Sequence, residues 1–190
     1  MRSFEDYSWR DILTADLERV YSAYQRERTV KPGSAILVVH PDRSVVVRAR
    51  SNWTDAALRL VEEARAQRLA VIHSIPKGSN PTSPLTPTAN EVTCVRACDS
   101  AFLFSDLEAV LTRAHAKGVI VCGAPMSGAV RATVVEAKSY GHKTAIAEET
   151  VGDEAQLLLK VALFDVAHKY ADVMSLDELL PALRISSNSR

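Results

Sequence analysis

The chain has 190 residues, the length of one domain or of one domain with a tail. Hydrophobic residues make up 47 % and charged residues 24 %, an ordinary globular composition able to bury one large core. Its 23 Lys plus Arg balance 23 Asp plus Glu, which excludes a broad nucleic-acid surface or an anionic-membrane patch. A neutral chain is also prone to associate, so an oligomer is expected.

The first 30 residues read as a polar helical arm, with Leu13, Leu17, Val20 and Tyr21 in a narrow apolar stripe. The start, Met1 to Trp9, is too acidic and polar for a signal peptide. No apolar run approaches the ~20 residues of a membrane span, and a cytoplasmic location is expected. Pro32-Gly33 breaks the arm from a domain over 31–184.

Ser34 to Val39 is a continuous apolar run, as expected for a strand buried on both faces of a parallel sheet. A helix follows over Asp55 to Gln67, with Ala57, Leu58, Val61 and Ala64 inward. Leu69 to Ile72 is the second strand. The loop from Pro76 to Asn90 carries Pro81, Pro84 and Pro87 and has no periodicity, which suits a functional loop or one packed on a partner. Val92 to Val95 is a short strand. Ser105 is placed to cap a helix over Asp106 to Ala116, with Glu108 completing a capping box.

Gly118 to Cys122 is another buried strand, Gly123 to Gly128 a tight turn, and Ala129 to Ser139 a helix. A strand over Lys143 to Ala147, a helix from Asp153 to about His168, a strand over Ala171 to Met174 and a helix from Ser175 to Leu183 complete the domain. The tail from Ile185 to Arg190 is polar. This alternation predicts an α/β fold of three αβα layers around a mainly parallel, Rossmann-like sheet. Ligands of such folds bind at the carboxyl ends of strands, so the segments after Val39, Ile72 and Cys122 should converge.

Cys94, Cys98 and Cys122 form no disulfide framework and lack the paired ligands of a zinc site; they read as small buried hydrophobes in a reduced compartment. His73 stands alone after its strand, so no metal site and no cofactor are expected.

The most informative stretch is Val119-Ile-Val-Cys-Gly-Ala-Pro-Met-Ser-Gly-Ala-Val-Arg-Ala-Thr-Val-Val-Glu-Ala137. Its small residues let the backbone turn sharply from strand into helix. The first helical amides have no internal partner and could stabilise an oxyanion, with the side chain of Ala129 above them. Pro125, Met126, Ser127, Gly128 and His73 are the candidate binding residues. An ordinary βα turn accounts for the same small residues.

This stretch resembles the isochorismatase-like (cysteine hydrolase) family, whose turn reads Val-Cys-Gly, three residues, then Ser-Gly-Cys-Val-Arg-Ala. Asp99 to Leu107 resembles the family's Ser-Ala-Phe block, and Ser34 to Val39 its first strand. Tyr140 to Glu149, Leu163 to Met174 and the arm around Trp9-Arg-Asp11 are similar to the N-carbamoylsarcosine amidase-like branch. The resemblance implies a site of Asp base, organising Lys and nucleophilic Cys. Those positions here are His40, Arg96 and Ala129, so all three differ and cysteine-type acyl transfer is lost at position 129.

Three functions remain open. One is a pseudoenzyme, a structural or regulatory subunit of an active amidohydrolase, in a homo-oligomer or in a hetero-oligomer with an active homologue. Another is a hydrolase of a C–N or ether-linked substrate with relocated chemistry. His40 would be the general acid near its ordinary pKa of ~6.5, Asp42 would orient it, and Arg96 would bind an anion or pair with Asp42 or Asp99. A nearby thiol, Cys122 or Cys98, could stand in for the nucleophile. The last is a small-molecule binding module using the residual pocket.

Overall fold

A computed structural model describes residues 6–22 and 30–184. Residues 1–5 and 23–29 of the arm and the tail 185–190 therefore lie outside the described residues, as does the side chain of Tyr21. Six strands form one sheet: β1 (Ala35–Val39), β2 (Val71–Pro76), β3 (Val92–Arg96), β4 (Val119–Gly123), β5 (Thr144–Ala147) and β6 (Asp172–Met174). Their order is β3-β2-β1-β4-β5-β6, and every neighbouring pair is parallel. The expected αβα sheet is thus present. Strand order reverses between β1 and β4, and in such sheets the crevice beside that reversal is where ligands bind.

The helices are α1 (Ala15–Ser22), α2 (Trp53–Ala66), α3 (Leu107–Arg113), α4 (Arg131–Ser139), α5 (Gln156–Lys169) and α6 (Leu176–Leu183). Strand residues alternate between faces, so each strand feeds two cores. Ile36, Val38, Val71 and Ile120 pack with α2 and α6. Leu37, Val39, Ile72 and Val121 pack with α3, α4 and α5. β1 and β4 are buried along their whole length, as their unbroken apolar runs require. α2 starts at Trp53, earlier than expected, because Trp53 and Leu60 join its inner face.

Several expectations need correction. β2 runs to Pro76, so His73 lies inside the strand instead of after it. The capping box at Ser105 does not form: Asp106 is the cap residue, Ser105 Oγ donates to the Ala101 carbonyl, and Glu108 accepts from His142. Ser175 and Glu178 form a capping box on α6 instead. α5 begins at Gln156 because Asp153 is occupied elsewhere. In the arm, Leu17 and Val20 face solvent, while Leu13, just before α1, packs against the core. Trp9 anchors the arm: it is fully buried in the α5-side core and stacks on Tyr7. Ser8 and Asp11 fix the same segment to Glu148 and Lys160. The Pro-rich loop packs on its own domain through fully buried Leu85.

β1 and β4 approach closely at Gly123, which has φ +133°. A Cβ there would stand 2.0 Å from the Val39 carbonyl oxygen. Gly123→Ala therefore combines a forbidden contact with a strained backbone, and should cost more than about 3 kcal/mol. Urea unfolding with an unchanged midpoint would contradict that assignment.

Candidate functional site

The end of β1, the end of β2 and the turn after β4 meet at the strand-order reversal, as expected. Their side chains do not converge. His40 follows Val39 and continues the strand alternation, so its ring turns to the α2 layer. Ala129 belongs to the opposite core, with Val39, Met126 and Val130.

The His40 ring is held at both nitrogens. The Thr82 N–H donates to His40 Nδ1 at 2.9 Å. His40 Nε2 lies 3.0 Å from His73 Nδ1, and His73 Nε2 lies 3.1 Å from Glu91 Oε2. The tautomers follow from these contacts. A backbone N–H can only donate, so His40 Nδ1 carries no proton. His40 then donates from Nε2, His73 accepts at Nδ1, and His73 donates from Nε2 to Glu91. Arg65 closes the chain by two hydrogen bonds to the Glu91 carboxylate, at 2.7 and 2.9 Å, and the Thr88 N–H adds a third donor. Every polar atom of the two buried rings is satisfied with both rings neutral.

Electrostatics follow the same pattern. Burial foremost, with His73 and the Arg96 cation adding, pushes the His40 pKa down to about 3. Burial also lowers His73, against the pull of Glu91. Burial alone would raise the Glu91 carboxyl, but Arg65, the Thr88 amide and His73 outweigh it and hold it at about 2. Asp42 does not orient His40. Ser44 engages its carboxylate through amide and hydroxyl, and Ser79 reaches its other oxygen.

Arg96 is buried on the α3 side of the sheet, like Cys94 before it. Its guanidinium donates to the Ser74 carbonyl at 2.9 Å and the His40 carbonyl at 2.6 Å. It pairs directly with neither Asp42 nor Asp99, whose charges act on it only through space.

The turn keeps its sharp path, through a cis Ala124–Pro125 bond and a π-helical turn over Met126–Val130. Four of its amides are engaged internally. The Ser127 N–H donates to Asp153 Oδ2 at 2.6 Å, and Ser127 Oγ lies 3.2 Å from Oδ1. The Met126 N–H binds the Gly152 carbonyl, and the Gly128 and Val130 N–H groups bind the Pro125 carbonyl. Asp153 is fully buried and takes the place expected for an external anion.

Of the two candidate thiols, Cys122 is fully buried inside β4. Burial raises Cys122 to about 12, and its Sγ lies against the Leu37 carbonyl. Cys98 is half-buried, with weak contacts to the Ser100 and Leu103 carbonyls. No cluster of metal-ligating side chains is present among the described residues. Glu91, Arg65, Thr82 and Asp153 were not foreseen. A histidine within the run Val71-Ile-His73 was the available signal, because a buried ring demands partners.

The buried rings give stability a defined pH dependence. His40 takes up a proton near 6.5 in the unfolded chain but only near 3 in the folded protein. Between those values the unfolded state binds more protons, so stability is full above 6.5 and falls as pH drops towards 3. His73 acts in the same direction. His40→Gln should remove much of the loss already seen by about pH 5, measured by urea midpoints across pH. Identical pH profiles for the two proteins would contradict the buried neutral ring.

Comparison with known proteins agrees with this scaffold. A family model described as the isochorismatase domain matches residues 34–178. The maleamate amidohydrolase of Pseudomonas putida is 34 % identical over 103 residues, 53 % of this chain and 47 % of that protein. The N-carbamoylsarcosine amidase of an Arthrobacter species is 34 % identical over 99 residues, 52 % of this chain and 38 % of that protein. The matched segments thus span less than half the length of these relatives. A cysteine hydrolase from Pseudomonas syringae has the same fold, with TM-score 0.74 at 16 % identity, over 84 % of this chain and 98 % of that one. By its family match and its sheet, the chain belongs to the isochorismatase family.

Proposed function

We propose that this chain is a non-catalytic member of its family and serves as a structural or regulatory subunit of an active amidohydrolase. One observation carries the reading. At each of the three positions aligned with the family's site, the reactive group is absent or held internally, and all three are closed to solvent. Ala129 offers a methyl group and is 2 % exposed. His40 has both nitrogens engaged and is 0 % exposed. Arg96 is 4 % exposed and is bound to two backbone carbonyls.

A general acid or base must reach the atom whose proton it moves. His40 would first have to leave both Thr82 and His73. Asp42 is bound to Ser44 and gives His40 no carboxylate partner. The geometry therefore disfavours relocated acid–base chemistry. The relatives named as amidohydrolase and amidase suggest the class of the active partner. Whether that partner is a homologue or further copies of this chain is read from the size and composition of the purified assembly. The reading includes a 31–184 domain preceded by a docking arm. It also includes residence in the reducing cytoplasm, supported by three unpaired cysteines. Among the described residues no helix is long and apolar enough to cross a membrane.

The purified chain alone should not turn over small amides or ureides. Turnover that His40→Ala abolishes would overturn the proposal. Ala129→Cys alone should stay about 100-fold or more below the triple variant Ala129→Cys, His40→Asp, Arg96→Lys, because a thiol without a base lacks general-base assistance. Equal activity of the two variants would show that the base position is not the barrier.

A further inference from the structure

The amino end of the sheet, opposite the family's site, carries a cavity of about 580 Å³. It lies where α2 and α3 end and β2 and β3 begin. A smaller one of about 290 Å³ adjoins it, and the two share Arg68, Leu69, Ala70 and Ala114. The larger volume is that of a small-molecule site. Its floor is apolar, with Leu69, Val71, Ile72, Val92 and Val110.

The polar wall is cationic. Arg65, Arg68 and Arg113 line the larger cavity against a single acid, Glu91, which Arg65 already neutralises. Arg68 and Arg113 make no side-chain hydrogen bond or ion pair among the described residues. The smaller cavity adds Lys117 and His115 and no acidic residue. An apolar floor beneath unpaired guanidinium groups fits a carboxylate on an apolar body.

Helix ends explain only part of this arrangement. Arg65 and Arg113 stand in the last turns of α2 and α3, where cations offset the helix dipole. Both helices, however, close with a left-handed residue that is not glycine: Arg68 at φ +55° and His115 at φ +50°. Glycine is the usual and less strained choice there. Both residues line the smaller cavity, so the backbone bears strain where basic side chains meet it.

The cavity wall also touches the buried hydrogen-bond chain. Glu91 and Arg65 line it, and Glu91 accepts the proton of His73, which accepts that of His40. An anion that draws on Arg65 alters the hold on Glu91, and the two rings lie next in line. We propose that these adjoining cavities bind a small organic carboxylate with an apolar body, and that Glu91 and His73 transmit its occupancy to His40. The site stands whether or not the chain catalyses a reaction.

The test is an NMR titration of the full chain with benzoate, with benzamide as its uncharged counterpart. Millimolar affinity suits so small a probe. Benzoate should shift the amides of Arg68, Leu69, Ala70, Val92 and Ala114 saturably, and benzamide should bind about tenfold more weakly. The double variant Arg68→Ala, Arg113→Ala should weaken benzoate by about tenfold, and both side chains are exposed, so folding should survive. Equal binding of the two probes, unchanged affinity in the variant, or shifts confined to the carboxyl end of the sheet would overturn the site. Ring nitrogen shifts of His73 and His40 that follow the same binding curve would support the transmission. Rings that stay unmoved at saturation would overturn it.

Discussion

The order of protons along Thr82, His40, His73 and Glu91 constrains the α2 side of the molecule. Two imidazole rings can be buried side by side only if both stay neutral and each finds a donor and an acceptor. One backbone N–H from the Pro-rich loop sets the direction for the whole chain. Moving that loop would strand a ring nitrogen, and charging His40 would set a cation near the buried Arg96. The loop, the start of β3 and the end of α2 are therefore tied together by one hydrogen-bond sequence, ending in the Arg65–Glu91 pair. Glu91 is nearly buried while Arg65 is partly open to solvent, so removing Arg65 would leave the Glu91 charge short of its main partner.

That chain also explains how a familiar scaffold can hold an unfamiliar site. His40 follows β1 on the same alternation as Val38, so its side chain lies on the α2 face, away from Ala129. Arg96 then covers the strand-end carbonyls of β1 and β2, and Asp153 satisfies the turn. Most polar groups at this carboxyl end thus have internal partners, the buried Ser74 hydroxyl excepted.

Much of this architecture was legible in the residues. The apolar runs of β1 and β4 are long and unbroken, and a strand buried on both faces has no other reading at that length. The dense Val119–Ala137 pattern located the turn and position 129. The boundaries of β2 were less legible, because His73 and Ser74 look like loop residues until their partners are known. Those partners lie 18 residues or more away along the chain, and no local periodicity links Glu91 to a ring in another strand. Asp153 was hidden for a similar reason. An aspartate before a helix reads as a cap for that helix, whereas here it serves a turn 26 residues earlier. Trp9 was legible as part of a pattern but not as the anchor of the arm, since burial of one aromatic ring leaves no repeat.

Gly123 has a consequence for how such chains are recognised. Its Cα lies so close to the β1 backbone that no side chain fits, whatever chemistry surrounds it. The same holds for any descendant that keeps these two strands in register. A signature built around that glycine therefore detects a crossing of two backbones, and it would persist through the birth or death of an enzyme.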